Sequence, residues 1–113
     1  MNATLTALAE PNRLNIVELL RGGPRAVGSI AEQLGLRQPQ ASKHLRVLSD
    51  AGVIDVQPVA QQRIYRLRPE AFRELHSWTE SYRVLWEERL DRFDEVLQEV
   101  QAKENHEPTD QKP

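Results

Sequence analysis

Residues 28–52 read GSIAEQLGLRQPQASKHLRVLSDAG. This stretch predicts a short helix from about 27 to 34 that ends at Gly35, a residue suited to a left-handed helix cap. A second helix opens at Pro39, since proline is accepted in the first helical turn, and Gly52 closes it after about residue 51. The stretch therefore reads as two short helices joined by a tight turn that contains glycine.

The second of these helices is amphipathic. At about 3.6 residues per turn, Ala41, Leu45 and Leu48 fall on one side and form the stripe that would face a core. The opposite face is polar and carries two cations, and His44 borders the buried stripe. Two helices of this kind are typical of a helix-turn-helix, whose second helix enters the major groove of DNA.

The start of the second helix supplies the candidate DNA contacts. Amide, hydroxyl and ammonium groups at its amino-terminal end suit base edges in the major groove. We predict that Arg46, one turn further on, binds the phosphate backbone. The candidates for base contacts are Gln38, Gln40, Ser42 and Lys43.

A hairpin follows, because residues 53–56 and 64–67 are rich in β-branched and aromatic side chains. Gln62 and Arg63 lie near its turn and are candidates for contacts with phosphates or the minor groove. The turn around Ala60 lacks glycine, which leaves the shape of this wing open. The predicted fold is mainly α with a small β-hairpin, a winged helix-turn-helix with a long C-terminal dimerisation helix.

The charge is divided along the chain. The formal net charge is −2. Residues 1–69 hold nine Lys/Arg and five Asp/Glu, whereas residues 70–113 hold six and twelve. A basic amino-terminal part is what phosphate binding requires, although a basic solvated face is the simpler reading.

The sequence resembles the ArsR family of winged-helix repressors across residues 5–100. The residues that carry the resemblance are Leu8–Arg13, Ile30–Leu36, Gln38–Leu45, Leu48–Ile54 and Ile64–Leu67. The resemblance implies a cytoplasmic homodimer that represses transcription by occupying an inverted-repeat operator in double-stranded DNA. It also implies that Ser42 and Lys43 face the groove. The chain departs from the family at Arg37, where a serine helix cap is common.

The stretch from Pro69 to about Lys103 contains no glycine or proline and would form a helix roughly 50 Å long. Its apolar residues continue beyond any core of this size, with a seam at 86, 90, 93, 97 and 100 close to a seven-residue repeat. A second copy is the simplest partner for such a stripe; a ligand pocket between the aromatic side chains is the alternative. The predicted dimerisation residues are Trp78, Tyr82, Trp86, Leu90, Phe93 and Leu97.

The domain prediction is a DNA-binding domain at 1–69, a dimerisation helix at 70–103 and a disordered polar tail at 104–113. Cysteine is absent, which excludes disulfides and thiolate metal sites. We expect no secretory signal, no membrane association, no cofactor and no catalytic site.

Two alternatives stay open. One is a winged-helix module that binds proteins. The other is a metal-responsive repressor with a site on the last helix built from His76, Glu80 and Glu74; histidine pairs are the usual requirement, so we predict no metal.

Overall fold

The computed structural model describes the backbone of residues 1–111 and the side chains of residues 1–104. It confirms the mainly helical winged fold with its hairpin and long last helix. The elements are α1 (Asn2–Leu8), α2 (Pro11–Leu20), β1 (Arg25–Ala26), α3 (Val27–Leu34), α4 (Gln38–Asp50), β2 (Ile54–Val59), β3 (Gln62–Leu67) and α5 (Pro69–Gln111). No helix within this described part has the length and apolar character needed to cross a bilayer.

The turn between α3 and α4 forms as the sequence predicts. Gly35 caps α3 at φ 65° and ψ 30°, a left-handed conformation that glycine adopts without a Cβ clash. The backbone N–H of Leu36 then donates to the carbonyl of Ala31 at 2.9 Å, which closes the end of the helix. α4 begins at Gln38, one residue before the predicted Pro39.

The core lies under α4. Ala41, Leu45 and Leu48 are fully buried, which confirms the predicted stripe. Ile16 of α2 and Ile30 of α3 are also fully buried and join the same cluster. Leu48 and Leu45 thereby fix the depth of α4, so that its opposite face stays in solvent.

The hairpin is part of a three-stranded antiparallel sheet in the order β1-β3-β2. The sequence predicts β2 and β3 but not β1, in which Arg25 pairs with Tyr65 and Ala26 with Ile64. Tyr65 is buried against the core. The sheet therefore attaches the wing to α2 and α3 through its middle strand.

The turn at the tip of the wing uses a strained residue. Only Ala60 and Gln61 separate β2 from β3. Ala60 has φ 56°, in the region that costs an L-residue roughly 1–2 kcal/mol. Two-residue hairpin turns usually place glycine at such a position.

We therefore expect Ala60→Gly to raise the free energy of unfolding by about 0.5 kcal/mol, because relief of the strain outweighs the extra freedom of glycine in the unfolded chain. Urea unfolding followed by circular dichroism measures it. Gln61→Gly is the matched control, since Gln61 lies outside the positive-φ positions, and it should lower the stability. An equal effect of both substitutions would contradict this account of the turn.

The chain divides into two compact units, Met1–Leu75 and the residues from His76 onward. The first unit includes the start of α5, where Ala71 is buried and Phe72 packs against the core. The first unit therefore ends six residues beyond the domain boundary at 69 that the sequence predicts. In the second unit α5 runs on to Gln111, past the predicted end near Lys103. The predicted tail at 104–113 falls almost entirely outside the residues whose side chains are described.

Candidate nucleic-acid interface

The seven predicted DNA-contacting side chains are all exposed. Throughout the part of the chain with described side chains, none of them takes part in a side-chain hydrogen bond or an ion pair. Their polar groups are therefore directed to solvent and available to a ligand. They are Gln38, Gln40, Ser42, Lys43, Arg46, Gln62 and Arg63.

A groove of about 520 Å³ runs between α4 and the wing. Gln38, Ser42 and Arg46 line it from α4, each about one helical turn after the last, and Arg63 lines it from β3. The structure thus brings together four of the seven residues, which come from two elements. Asp50 also lines this groove, toward the carboxyl end of α4.

Two further grooves flank the start of α4. One, of about 560 Å³, has Gln38, Gln62 and Arg63 opposite the beginning of α3. The other, of about 340 Å³, lies on the far side of α4 and is lined by Arg37, Pro39, Gln40 and Lys43. The predicted residues therefore surround the amino-terminal half of α4 on both sides. We call these three grooves and their seven predicted residues the α4–wing surface.

Ion pairs involve some cations of this part of the chain and leave others unpaired at the α4–wing surface. Asp55 lies opposite Arg66 in the sheet register. Its carboxylate approaches Arg66 Nη2 at 3.7 Å and Arg68 Nε at 3.5 Å. Arg68 Nε also lies 3.7 Å from Glu70, so two of the six cations between 37 and 68 are paired with acids at the base of the hairpin. The four that have no ion pair within the described part lie at the α4–wing surface: Arg37, Lys43, Arg46 and Arg63.

The start of α4 adds positive potential of its own. Arg37 occupies the cap position at φ −70° and ψ 144°, and its side chain makes no capping hydrogen bond. No acidic residue stands in the first turn. The first-turn N–H groups of Gln38 and Gln40 therefore keep the partial positive charge of a helix amino terminus. Because arginine replaces the common serine cap at position 37, the amino-terminal end of α4 has no side-chain cap.

Glu10, which the sequence indicates only as the residue before the start of α2, joins α2 to α4. Its carboxylate caps α2 by accepting from the Arg13 backbone N–H at 2.9 Å and lies 3.7 Å from His44 Nδ1 of α4. Arg13 Nε in turn donates to the carbonyl of Ala7 in α1 at 2.7 Å. His44 is half-buried on the inner side of α4 and serves packing. The Glu-Pro pair at 10–11 indicates the helix start, because proline suits the first helical turn, but no local pattern indicates the contact with His44.

The second unit presents an exposed apolar face. Trp78 and Tyr82 pack edge to face, with ring centroids 5.3 Å apart at 74°. Beyond them Trp86, Leu90 and Phe93 are exposed, Trp86 to 64%. A shallow groove of about 390 Å³ runs along this helix; it is lined by Thr79, Tyr82, Arg83, Leu85, Trp86 and Arg89.

The residues with described side chains include no group of three or more histidine and carboxylate side chains able to hold a metal ion. His76 is exposed. Glu80, one turn later, is paired with Arg83 Nη2 at 3.0 Å.

Comparison with known proteins gives the same architecture. A helix-turn-helix domain family matches residues 8–57. The transcriptional repressor SdpR of Bacillus subtilis is 33% identical over 78 residues, which is 69% of this chain and 87% of SdpR. The solution structure of a homodimeric winged helix-turn-helix DNA-binding domain from Mycobacterium bovis, a possible ArsR-family transcriptional regulator, is 29% identical at TM-score 0.62; the match covers 72% of this chain and 75% of that one. The chain belongs to the ArsR family.

Another relative in this family shows the extent of the similarity. The HTH-type transcriptional regulator Rv2034 of Mycobacterium tuberculosis is 43% identical over 63 residues, or 56% of this chain. The chain spans 59% of the length of that regulator. The function of the whole chain is therefore a separate proposal.

Proposed function

We propose that this ArsR-family chain is a cytoplasmic transcriptional repressor that binds an inverted-repeat operator as a homodimer, with α4 in the major groove. One observation carries the proposal. The polar and cationic side chains around the start of α4 and on the wing are exposed and lack partners within the described part of the chain. Buried or paired groups would not be available to DNA, whereas these exposed groups are available.

The positions of the side chains divide their roles. Gln38, Gln40, Ser42 and Lys43 occupy the first turns of α4, where a reading helix approaches base edges. Arg46 lies deeper along the helix, and Gln62 and Arg63 lie on the wing, so these three bind phosphates and position the protein.

Two findings support the homodimer. The Mycobacterium bovis neighbour is described as homodimeric. In this chain Tyr82, Trp86 and Phe93 are each more than half exposed, and aromatic side chains of that size favour burial against a partner. We propose that Trp78, Tyr82, Trp86, Leu90, Phe93 and Leu97 form the dimer contacts.

Three alanine variants test the division of roles. We expect Lys43→Ala and Ser42→Ala to lower operator affinity by about 1–3 kcal/mol while leaving binding to unrelated DNA nearly unchanged. Arg63→Ala should weaken binding to all DNA and reduce the salt slope by about 1. Fluorescence anisotropy on the chain's own promoter and on a scrambled duplex, across a salt series, measures both effects.

Arg66→Ala is the matched control for Arg63→Ala. Both arginines lie on β3, but Arg66 is paired with Asp55, so its loss should leave DNA affinity almost unchanged. Equal losses at Lys43, Ser42 and Arg63 would contradict the division of roles. Binding of the wild-type protein to its promoter no better than to scrambled DNA at ~150 mM salt would overturn the repressor proposal, because specific affinities survive that salt. A DNA affinity that does not change with salt would favour the alternative function, a winged-helix module that binds proteins.

A further inference from the structure

We propose that Asp50 fixes the position of DNA along α4 by excluding phosphates from the carboxyl-terminal end of the groove between α4 and the wing. This role deepens the proposed operator binding and rests on it. Asp50 belongs to neither the base-contacting nor the phosphate-contacting residues. It is the last residue of α4, it is exposed, and it lines the groove of about 520 Å³.

The stability of α4 does not explain an acid at position 50. Within the described part of the chain its carboxylate takes part in no side-chain hydrogen bond or ion pair. The carboxyl end of a helix carries partial negative charge, so an acid there is unfavourable, and the last turn of α4 holds no basic residue. Local rules of this kind are broken at functional positions. The groove that Asp50 lines is therefore the place to look for its role.

The charges along this groove have a direction. The charged side chains that line it are Arg46, Arg63 and Asp50. Arg63 also lines the groove of about 560 Å³ together with Gln38, which places it near the amino-terminal end of α4. Asp50 follows Arg46 by four residues, or roughly 6 Å along the helix axis at ~1.5 Å per residue. The groove is therefore cationic from Gln38 to Arg46 and acidic one turn later.

The free energy of a phosphate in the groove depends on this direction. When Gln38 and Ser42 reach base edges, the DNA backbone lies beside Arg63 and Arg46, and no phosphate has to approach the carboxylate. A displacement of the duplex by one helical turn toward the end of α4 brings phosphate against Asp50, and like charges repel. Such a displaced complex is therefore disfavoured.

The repulsion acts unequally on operator and unrelated DNA. Base contacts hold the operator in the position where Asp50 is not approached. Unrelated DNA lacks these contacts and is bound in many positions, including those that Asp50 disfavours. A contact that penalises the wrong partner raises specificity without adding affinity for the right one. Asp50 is thus a positioning residue that widens the gap between operator and non-specific binding.

Asp50→Asn tests this role, because it keeps the size of the side chain and removes its charge. In the full chain we expect binding to a scrambled duplex to tighten about fivefold, since each protomer of the homodimer loses one exposed repulsive charge. Binding to the promoter should tighten much less, so the ratio of the two affinities falls. Fluorescence anisotropy at ~150 mM salt, where specific affinities survive, measures both.

Two variants are the controls. Asp50→Glu keeps the charge and should bind both duplexes like the wild type. Asp91→Asn removes the same charge from an exposed position in the second unit, so it should leave the ratio unchanged. Thermal unfolding of Asp50→Asn should occur at or above the wild-type temperature, because the acid does not stabilise the end of α4. Any change in DNA binding is then not a consequence of unfolding.

The outcomes separate this role from the repressor proposal. Equal tightening of both duplexes would show a general repulsion of DNA and overturn the positioning role, and unchanged affinities would do the same. A weaker promoter affinity of Asp50→Asn would mean that the carboxylate accepts from a base, such as the amino group of cytosine, and would also overturn it. A wild-type protein that binds promoter and scrambled duplex equally would instead overturn operator binding itself.

Discussion

Replacement of Phe93 by glutamate is expected to convert the homodimer into a monomer and to lower operator affinity about 1000-fold, the smaller end of the gap between specific and non-specific binding. Phe93 is 60% exposed in the single chain, so the helix itself tolerates the change. The charge is costly only where the side chain becomes buried against a partner. One half-site alone then has to hold the protein, and the gain from joining two sites is lost.

Sedimentation velocity and anisotropy on a full operator and on a half-site measure this effect. Gln98→Glu is the matched control, because it adds the same charge to the same helix away from the seam residues. It should remain dimeric and bind normally. A monomeric Phe93→Glu protein that binds the full operator like the wild type would show that repression does not need the homodimer.

The second large effect concerns the helix that carries the base-contacting residues. Leu45→Ala should lower the free energy of unfolding by about 3 kcal/mol, since Leu45 is 0% exposed and its loss leaves a cavity beneath α4. Val47→Ala is the control on the same helix, because Val47 is 41% exposed and should cost about 0.5 kcal/mol or less. Urea unfolding measures both. Similar losses for the two variants would mean that α4 is not anchored through its inner stripe.

The parts of the fold that sequence predicts are those fixed by local rules. The buried stripe of α4 follows from its helical period, and the left-handed cap at Gly35 follows from the one residue that adopts it without strain. The hairpin strands follow from β-branched residues near the turn at Ala60. Each of these needs only a few neighbouring residues to be specified.

The parts that sequence did not predict depend on distant partners. β1 is only Arg25–Ala26, and two residues are too few to show the alternating pattern of a strand. Its pairing with β3 spans about a third of the chain. α1 lacks a capping side chain, and it is held by packing of Thr4 and Ala7. Leu14 is an apolar residue of α2 but is 46% exposed, because the core contacts of that helix come from its other side.

The candidate site shows the same division. The seven residues of the α4–wing surface were chosen by residue type and helical position, and the structure leaves all of them exposed. The sequence has six cations between 37 and 68 but does not show that Arg66 and Arg68 are paired with Asp55. Nor does it show the contact between Glu10 and His44. Both contacts join residues far apart in sequence, so composition alone could not assign them.

The placement of the aromatic residues gives this protein a built-in optical reporter. The chain has two tryptophans, and both Trp78 and Trp86 lie in the second unit, 37% and 64% exposed. Indole emission shifts to shorter wavelength when water is removed from the ring, so intrinsic fluorescence follows assembly of α5 alone. The unit that carries the α4–wing surface contains no tryptophan and gives no tryptophan emission. Association can therefore be recorded in an unlabelled sample, with no tryptophan signal from the unit that carries the α4–wing surface.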